Sequence, residues 1–240
     1  ELMKLVTYSL YGNKPIYLEG ALYNAKLVRK LYKGWKARFY VSKDIDNSLI
    51  NKLKLEGAQI IKMPHKNINA EGMYWRFLAI SDSDVEVMIC RDCDSRISMR
   101  EVRAVNQWLN SSKIFHIMRD HPLHKRKIMG GMWGCRKSNK FNMKDLIEDH
   151  IFEDGYIKSL NYGSDQDFLE NKIYPLIKNE VFIHDEFYGG NKFPDSRFGI
   201  DFVGSIKINK NKIYHLPSHL LLLKSLFTNH LKKRSPLFLY

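Results

Sequence analysis

Two aspartates, two positions apart, carry the clearest chemical signal in this 240-residue sequence. Asp92 and Asp94 follow the apolar run Val85–Cys90, whose composition predicts a buried strand. On an extended chain, residues two apart project to the same side. Two carboxylates about 6 Å apart repel each other by roughly 3 kcal/mol at an effective dielectric constant of about 20.

A divalent cation would remove this repulsion. Carboxylate oxygens are ligands that favour Mg²⁺ or Mn²⁺ over softer metals. An ion held by Asp92 and Asp94 could bridge the two phosphates of a nucleotide and neutralise a diphosphate leaving group. The alternative is that Arg91 and Arg96, on either side of the pair, bind these carboxylates on the protein surface.

Strand and helix signals alternate around this acidic pair. Strands are predicted at residues 4–10, 38–41, 58–61, 85–90, 115–118, 128–129 and 181–184, and near 202–203. Helices are predicted after caps at Asn13, Asp46, Ser98 and Ser164, over 71–80, near 145–152 and around 220–223. This order predicts an α/β fold with a mixed, mostly parallel sheet flanked by helices, which binds ligands beyond the carboxyl ends of its strands.

The composition narrows the possible functions. Lys and Arg total 39 against 26 Asp and Glu, and the net charge of +13 favours an anionic partner such as a nucleotide, a nucleic acid or an acidic membrane surface. Three cysteines argue against a disulfide scaffold and for a reducing compartment. There is no run of eighteen apolar residues that would predict a membrane span, and the first residues lack the layout of a signal peptide. We therefore expect a cytoplasmic location.

Seven segments, taken in order, resemble a known family. They are 9–12 (SLYG), 34–40 (GWKARFY), 91–96 (RDCDSR), 116–122 (HIMRDHP), 130–134 (GGMWG), 165–169 (DQDFL) and 202–204 (FVG). This series is similar to the GT-A-fold (Rossmann-like) glycosyltransferases, and more narrowly to a group of bacterial and large-virus enzymes. The segment 91–96 resembles their D-x-D motif, which binds a metal and a sugar nucleotide. The likeness covers most of the first 205 residues.

The resemblance implies a metal-dependent glycosyltransferase of the hexosyltransferase type. Such an enzyme moves a sugar from a UDP- or GDP-sugar donor to a hydroxyl of a glycan or a lipid-linked acceptor. The implied ligands of Mn²⁺ or Mg²⁺ are Asp92, Asp94 and, as a late third ligand, His184. The implied donor-binding residues are Tyr8, Tyr11, Gly12, Arg76, Arg91, Asp92, Gly130 and Gly131. The implied catalytic residues around the anomeric carbon are Asp120, Asp165 and Gln166.

Some of these residues have a structural alternative. The run from Ser164 to Asp167 has the pattern of a capping box, which favours Asp167 as a helix-capping residue and leaves Asp165 for function. The paired glycines fit either a close approach of ligand to backbone or simple packing. The Gly-Lys-Pro-Trp segment of glycogenin-like enzymes is absent, so retention and inversion both stay open. Inversion would require a carboxylate base, for which Asp120 and Asp165 are the candidates.

Other function classes make different demands on the chain. A sugar nucleotidyltransferase would use the same metal and phosphate chemistry. A basic nucleic-acid-binding module is allowed by the charge, but no nucleic-acid motif accompanies it, so we expect no nucleic-acid partner. A zinc site built from the C-x-x-C at Cys90 and the H-x-x-H at His121 has unfavourable spacing.

The sequence predicts one domain over residues 1–240, with 206–240 as a C-terminal helical extension. Its part from His219 to Tyr240 combines a leucine run with the basic residues Lys224, Lys232, Lys233 and Arg234. It is either a core helix with a basic exposed end or a segment that lies on an acidic membrane surface.

Overall fold

Alternating apolar residues along the predicted strands build a sheet at the centre of the molecule. The structure, a computed structural model, describes residues 2–64, 70–153, 156–157, 160–197, 199–209 and 212–234. Within these residues the main sheet has seven strands. They are β1 (Met3–Leu10), β2 (Trp35–Val41), β3 (Gln59–Lys62), β4 (Val85–Cys90), β5 (Phe115–Arg119), β6 (Trp133–Arg136) and β9 (Val181–Asp185).

Helices connect these strands and cover both faces of the sheet. The α-helices of the described residues are α1 (Pro15–Leu31), α2 (Asn47–Leu55), α3 (Met99–Leu109), α4 (Met143–Ile151), α5 (Ser164–Phe168), α6 (Tyr174–Ile177) and α7 (Leu216–Arg234). Two 3₁₀ helices, Ala70–Met73 and Trp75–Ser81, lead into β4, and a π-helical turn over Leu169–Ile173 joins α5 to α6. Two short ladders pair β7 (Phe152–Glu153) with β8 (Tyr156–Ile157) and β10 (Lys207–Ile208) with β11 (Lys212–Ile213).

The strand order explains where a ligand can bind. The sheet runs β3-β2-β1-β4-β6-β5-β9, and β6 is antiparallel to both β4 and β5, whereas the other pairs are parallel. The predicted mixed, mostly parallel sheet flanked by helices is therefore confirmed. From β1 the chain builds β2 and β3 on one side and returns to place β4 on the other. The carboxyl ends of β1 and β4 thus border a topological switch point, the usual place for a ligand crevice.

Two apolar clusters hold the layers together, one on each face of the sheet. Successive strand residues alternate between them, as the two-residue period of a strand requires. In β4, Met88 contributes to the cluster beneath the 3₁₀ helices and α4, whereas Val87 and Ile89 contribute to the cluster beneath α1, α2 and α3. All three side chains are fully buried.

The segment predicted as a helix over 71–80 forms 3₁₀ helices instead of an α-helix. The reason lies in its aromatic spacing. Tyr74, Phe77 and Ile80 are three residues apart and all buried against the sheet. A 3₁₀ helix has three residues per turn and so brings all three side chains to one face.

Two predicted strands are absent from the described residues. At 128–129 the chain has no strand because Cys90, the last residue of β4, already pairs with Trp133, so residues before Trp133 lie beyond the end of β4. Met132 instead donates its backbone N–H to the carbonyl of Met129, which closes a turn. Near 202–203 the chain also turns, because Gly204 has a positive φ of 84°.

The helix caps agree with the sequence at two of four positions. The side chain of Asp46 accepts a hydrogen bond from the N–H of Ser48, and that of Ser98 accepts one from the N–H of Glu101. In contrast, α1 starts at Pro15 without a side-chain cap from Asn13. The capping box predicted at Ser164 is also wrong, since Gly163, with a φ of 89°, precedes α5 and no side chain caps it.

The region predicted as a C-terminal helical extension begins with the β10–β11 ladder, and α7 follows it. This region is fixed to the rest of the chain close to the acidic pair. Ile206 bridges to Ser95, and the N–H of Lys207 donates to the carbonyl of Asp94 over 2.8 Å. No helix among the residues that the structure describes is both long and apolar enough to cross a membrane.

Candidate functional site

A cavity of about 490 Å³ opens at the carboxyl ends of β1 and β4. Of the thirteen residues predicted for the site, nine line it: Tyr11, Gly12, Arg76, Asp92, Asp94, Gly130, Gly131, Asp165 and Gln166. These residues come from five separate segments of the chain. The fold therefore gathers most of the predicted site in one place.

The acidic pair forms one wall of this cavity. Asp92 is ion-paired with the guanidinium of Arg76, whereas no ion pair or hydrogen bond from another described residue reaches the carboxylate of Asp94. Burial, and then the negative charge of Asp92, raise the pKa of Asp94 to about 7. The surface alternative from the sequence is wrong, because neither Arg91 nor Arg96 forms an ion pair with these aspartates. A carboxylate that lacks a cationic partner beside a second carboxylate is a donor set that fits an added divalent cation.

Arg76 lies at the centre of the charged groups. Its Nη1 donates to Asp92 and to the backbone carbonyl of Arg91 over 3.2 Å, and its Nη2 donates to Asp165 over 3.2 Å. Burial opposes the charge of the guanidinium, but the two carboxylates outweigh it and raise the pKa of Arg76. The backbone of Arg76 is fixed to β1 as well, because its N–H donates to Ser9 Oγ over 3.1 Å. Arg76 therefore stays positively charged and holds two acidic side chains in the cavity wall.

The start of α5 contributes the opposite wall. The Asp165 side chain is buried; its burial raises the pKa of its carboxyl, and Arg76 only partly offsets this effect. The neighbouring Gln166 lines the cavity, and its buried Oε1 has no hydrogen-bond partner among the described residues. Asp167, by contrast, is exposed and pairs with Arg126. Asp165 thus lines the cavity, whereas Asp167 forms a surface ion pair and not the expected cap.

The paired glycines lie directly against the carboxylates. A Cβ added to Gly131 would come within 2.0 Å of Asp92 Oδ2, and one added to Gly130 would come within 2.6 Å of Asp165 Oδ2. Both distances are shorter than any ordinary contact. Only glycine therefore lets this loop approach the two acidic side chains in their observed positions.

Three tyrosines complete the entrance, and the sequence pointed only to one of them. Tyr11 packs edge-on against Trp75 with a ring separation of 6.0 Å, and burial raises its pKa to about 12. Tyr17, on α1, and the exposed Tyr162 also line the cavity. Neither lies in a recognisable motif, and only their positions after folding bring them to the acidic pair.

The H-x-x-H motif divides into two different roles. His121 uses both ring nitrogens within the protein, because Nδ1 accepts from the N–H of Leu123 over 3.0 Å and Nε2 donates to the carbonyl of Ser218 over 2.9 Å. His124 Nδ1 accepts from the N–H of Asp120 over 3.1 Å, so the proton of its neutral ring resides on Nε2. Burial lowers the pKa of His124 to about 3 and keeps the ring neutral. His124 lines the cavity, and no hydrogen bond from its Nε2–H to another described residue is found.

Two predicted donor-binding residues lie in the core instead of the cavity. Tyr8 stacks on Phe39 with a ring separation of 4.7 Å and is fully buried beneath the helices. Arg91 is buried in an ion pair with Glu101 at 2.8 Å and donates to the backbone carbonyl of Cys90. Strand geometry explains the position of Arg91, because consecutive side chains point to opposite faces and Asp92, the next residue, points into the cavity.

The predicted positions of Asp120 and His184 also require correction. Asp120 is fully buried and accepts from both Arg100 and Arg197, so its carboxylate is not available in the cavity. His184, on β9, hydrogen-bonds to His116 over 2.7 Å and to Gln107 over 2.9 Å. β9 lies three strand spacings of about 4.8 Å each from β4. His184 is therefore about 14 Å from the strand that precedes the acidic pair.

The predicted metal ligands Asp92, Asp94 and His184 do not come together as a set of three. In the part of the chain that the structure describes, no group of three or more His, Cys, Asp or Glu side chains could hold a metal ion. Cys90 contacts Thr7 Oγ1 over 3.3 Å and Cys93 donates to the carbonyl of Ser9 over 3.4 Å, so each thiol has a separate partner in the core. A cation between Asp92 and Asp94 would therefore require the remaining ligands from the substrate and water.

Comparisons with known proteins give matches of fold only. No family model and no curated protein sequence matches the chain. Similar solved structures include 4-diphosphocytidyl-2C-methyl-D-erythritol synthase from Anaerococcus prevotii, with 11% identity, a TM-score of 0.49, and coverage of 95% of this chain and 99% of that one. Glucosyl-3-phosphoglycerate synthase from Mycobacterium tuberculosis, in a complex with Mn²⁺, UDP and glucosyl-3-phosphoglycerate, has 13% identity and a TM-score of 0.48 over 80% of this chain and 73% of that one.

The glycosyltransferase GlyE from Streptococcus pneumoniae has 11% identity and a TM-score of 0.48 over 76% of this chain and 45% of that one. Because each TM-score is below 0.5, these matches do not assign an activity to this chain. The functional argument rests on the cavity itself.

Proposed function

We propose that the protein is a metal-dependent glycosyltransferase that uses a nucleotide-diphosphate sugar, such as a UDP- or GDP-sugar. One observation carries this proposal: Asp94 presents a carboxylate without a cationic partner beside Asp92, in a cavity at the carboxyl ends of β1 and β4. A Mn²⁺ or Mg²⁺ ion at these two residues would neutralise the diphosphate as it leaves the sugar. The D-x-D resemblance supports the same assignment.

The donor then has a consistent orientation in the cavity. Tyr11 and Gly12, at the end of β1, lie where they can contact the nucleoside. Arg76 supplies a fixed positive charge behind the acidic pair and orients Asp92 and Asp165 through its two Nη atoms. The sugar then lies against Gly130 and Gly131, which border the cavity with backbone atoms only.

Three side chains can act on the reacting groups. Asp165 is the carboxylate in position to accept the proton of an acceptor hydroxyl, since Asp120 is paired with two arginines outside the cavity. Its raised pKa increases its basicity and supports this role. Gln166 Oε1, without a partner, can accept from a sugar hydroxyl, and His124 Nε2–H can donate to one. For the acceptor we propose a hydroxyl group of a glycan or of a lipid-linked compound.

A thermal-shift panel of sugar nucleotides, with and without Mn²⁺, tests this proposal. At least one UDP- or GDP-sugar should raise the melting temperature only when Mn²⁺ is present. Asp94→Asn should lose this response. The matched control is Asp149→Asn, which alters an exposed aspartate on α4 and should respond like the wild type. Stabilisation by every donor without metal would contradict the proposal.

Product analysis then separates the two transferase classes. A glycosyltransferase releases a nucleoside diphosphate from the sugar nucleotide. Formation of the sugar nucleotide from a nucleoside triphosphate, with release of pyrophosphate, would instead establish a sugar nucleotidyltransferase at the same cavity.

A further inference from the structure

Helix α7 has two different apolar sides, of which one is exposed. His219 and Leu222 are buried against the protein. A second set, Leu216, Leu220, Leu223 and Phe227, is 50–65% exposed. Its spacing of four, three and four residues places all four side chains in one stripe along the helix, about a quarter to a third of a turn from the buried side. This set is called the leucine–phenylalanine stripe below.

The charge beside the stripe has a single sign. Lys224 is exposed one residue after Leu223, and the sequence of α7 ends in Lys232-Lys233-Arg234. The sequence of α7 contains neither aspartate nor glutamate, and the chain as a whole carries a net charge of +13. A helix that exposes leucine and phenylalanine next to cations, without carboxylates, has the composition of a helix that lies in a membrane interface.

The helix is attached to the wall of the cavity. Ser218, in its first turn, accepts a hydrogen bond from His121 over 2.9 Å, and the rings of His219 and Phe202 are 5.0 Å apart. Phe202 also contacts the ring of His124, which lines the cavity, over 5.8 Å. A surface that binds the stripe would therefore lie near the loop of residues 121–124, which reaches the cavity through His124.

We propose that the leucine–phenylalanine stripe docks the protein onto an anionic lipid bilayer. Apolar side chains enter the boundary between headgroups and acyl chains, while the neighbouring cations bind anionic headgroups. A second copy of the chain fits less well, because a two-fold contact through the stripe would bring together two helices that carry Lys224 and no acidic residue. A nucleic acid would use the cations but not the apolar stripe. This docking does not depend on the proposed reaction.

Vesicle co-sedimentation tests the proposal on the full chain. One set of vesicles contains phosphatidylcholine alone, and the other contains equal parts of phosphatidylcholine and phosphatidylglycerol. The wild type should bind the anionic vesicles at least about tenfold more tightly than the neutral ones, and high salt should weaken that binding. The double variant Leu220→Ser/Phe227→Ser should lose about tenfold or more, and Lys224→Glu should lose binding in the same direction.

The matched control is Leu55→Ser, because Leu55 on α2 is also a highly exposed leucine but lies outside the stripe. It should bind like the wild type, and thermal melting of all variants should show that each is folded. Wild-type protein that remains in the supernatant with anionic vesicles would overturn the proposal. So would binding that the double variant retains, or a wild-type dimer in solution that the double variant dissociates. If the double variant loses vesicle binding but still binds the sugar nucleotide, membrane docking and donor binding are separate properties of the protein.

Discussion

Replacing Asp94 by asparagine should make the metal-free protein more stable while it removes the response to ligand. The carboxylate has a pKa of about 7 in the folded protein against an ordinary value of 3.8, because burial and Asp92 disfavour its charge. The folded state therefore binds the Asp94 proton more tightly than the unfolded state does. The contribution of Asp94 to wild-type stability therefore falls as the pH rises from about 4 to 7, and the full cost of its charge is present above pH 7.

The size of this effect follows from the same values. A change in pKa from 3.8 to about 7 corresponds to at most about 4 kcal/mol, since each tenfold change in proton affinity is about 1.4 kcal/mol. Asp94 is only partly buried, and water and chain relaxation reduce the cost. We expect Asp94→Asn to gain about 1–2 kcal/mol at pH 8, which raises the melting temperature by roughly 2–8 °C for a chain of this size.

The assay compares thermal melting of wild type, Asp94→Asn and the surface control Asp149→Asn after treatment with EDTA. The gain of Asp94→Asn should shrink towards zero near pH 4, whereas Asp149→Asn should follow the wild type throughout. Addition of Mn²⁺ and a bound donor at a hundredfold excess over Kd should stabilise the wild type by about 2.7 kcal/mol and leave Asp94→Asn unchanged. An Asp94→Asn protein that melts at or below the wild-type temperature at pH 8 would refute the argument for an unpaired carboxylate.

Three further predictions follow from the geometry. Gly131→Ala should lower donor affinity about tenfold and cost less than about 1 kcal/mol in urea unfolding, because its Cβ displaces the side-chain carboxylate of Asp92 and not backbone. His124→Asn should raise the donor or acceptor KM about three- to tenfold at unchanged melting temperature, since asparagine keeps an acceptor for the neighbouring N–H and lacks the donor into the cavity. As the pH drops from 6.5 to 4, stability should fall by up to about 3 kcal/mol from His184 alone, because burial brings its pKa to about 4 and only the unfolded state takes up the proton. Burial also lowers the pKa of His116, which adds a loss in the same direction. Urea unfolding across this range should be measured in the Asp94→Asn variant, which lacks the opposing titration of Asp94. Stability that does not change with pH in this variant would contradict the prediction.

The parts of the fold that the sequence predicts are those governed by local rules. The alternation of strands and helices up to β4 follows from apolar periodicity, and the caps at Asp46 and Ser98 follow from side chains that reach the next N–H groups. The D-x-D pair is predictable for the same reason, since its two side chains must share one side of an extended chain.

The same rule could have corrected two predictions in advance. Val6, Tyr8 and Leu10 alternate along β1 and all belong to one buried cluster, so the strand pattern places Tyr8 with the core. Arg91 immediately precedes Asp92 and must point the other way. Both errors came from carrying over positions by resemblance without applying the two-residue period of the strand.

His184 and Asp120 could not be corrected from the sequence. The position of His184 depends on the strand order, which inserts β6 and β5 between β4 and β9. The partners of Asp120 are Arg100 and Arg197, one from α3 and the other nearly eighty residues away. Both outcomes depend on tertiary contacts that no local pattern contains.

The charge balance of the cavity gives an independent reason for a metal. Its described lining contains three carboxylates, Asp92, Asp94 and Asp165, against the cations of Arg76 and Lys14, although the chain as a whole is strongly basic. Arg76 is already shared between two of the carboxylates. A diphosphate that entered this cavity alone would meet net negative charge at close range, in surroundings that screen charge less than water does. The described lining therefore supplies too little positive charge to balance such an anion there, and a divalent cation at Asp92 and Asp94 would reverse the sign of the site. If a sugar nucleotide bound equally well in EDTA, this reasoning would be wrong, even if the fold and the cavity stood unchanged.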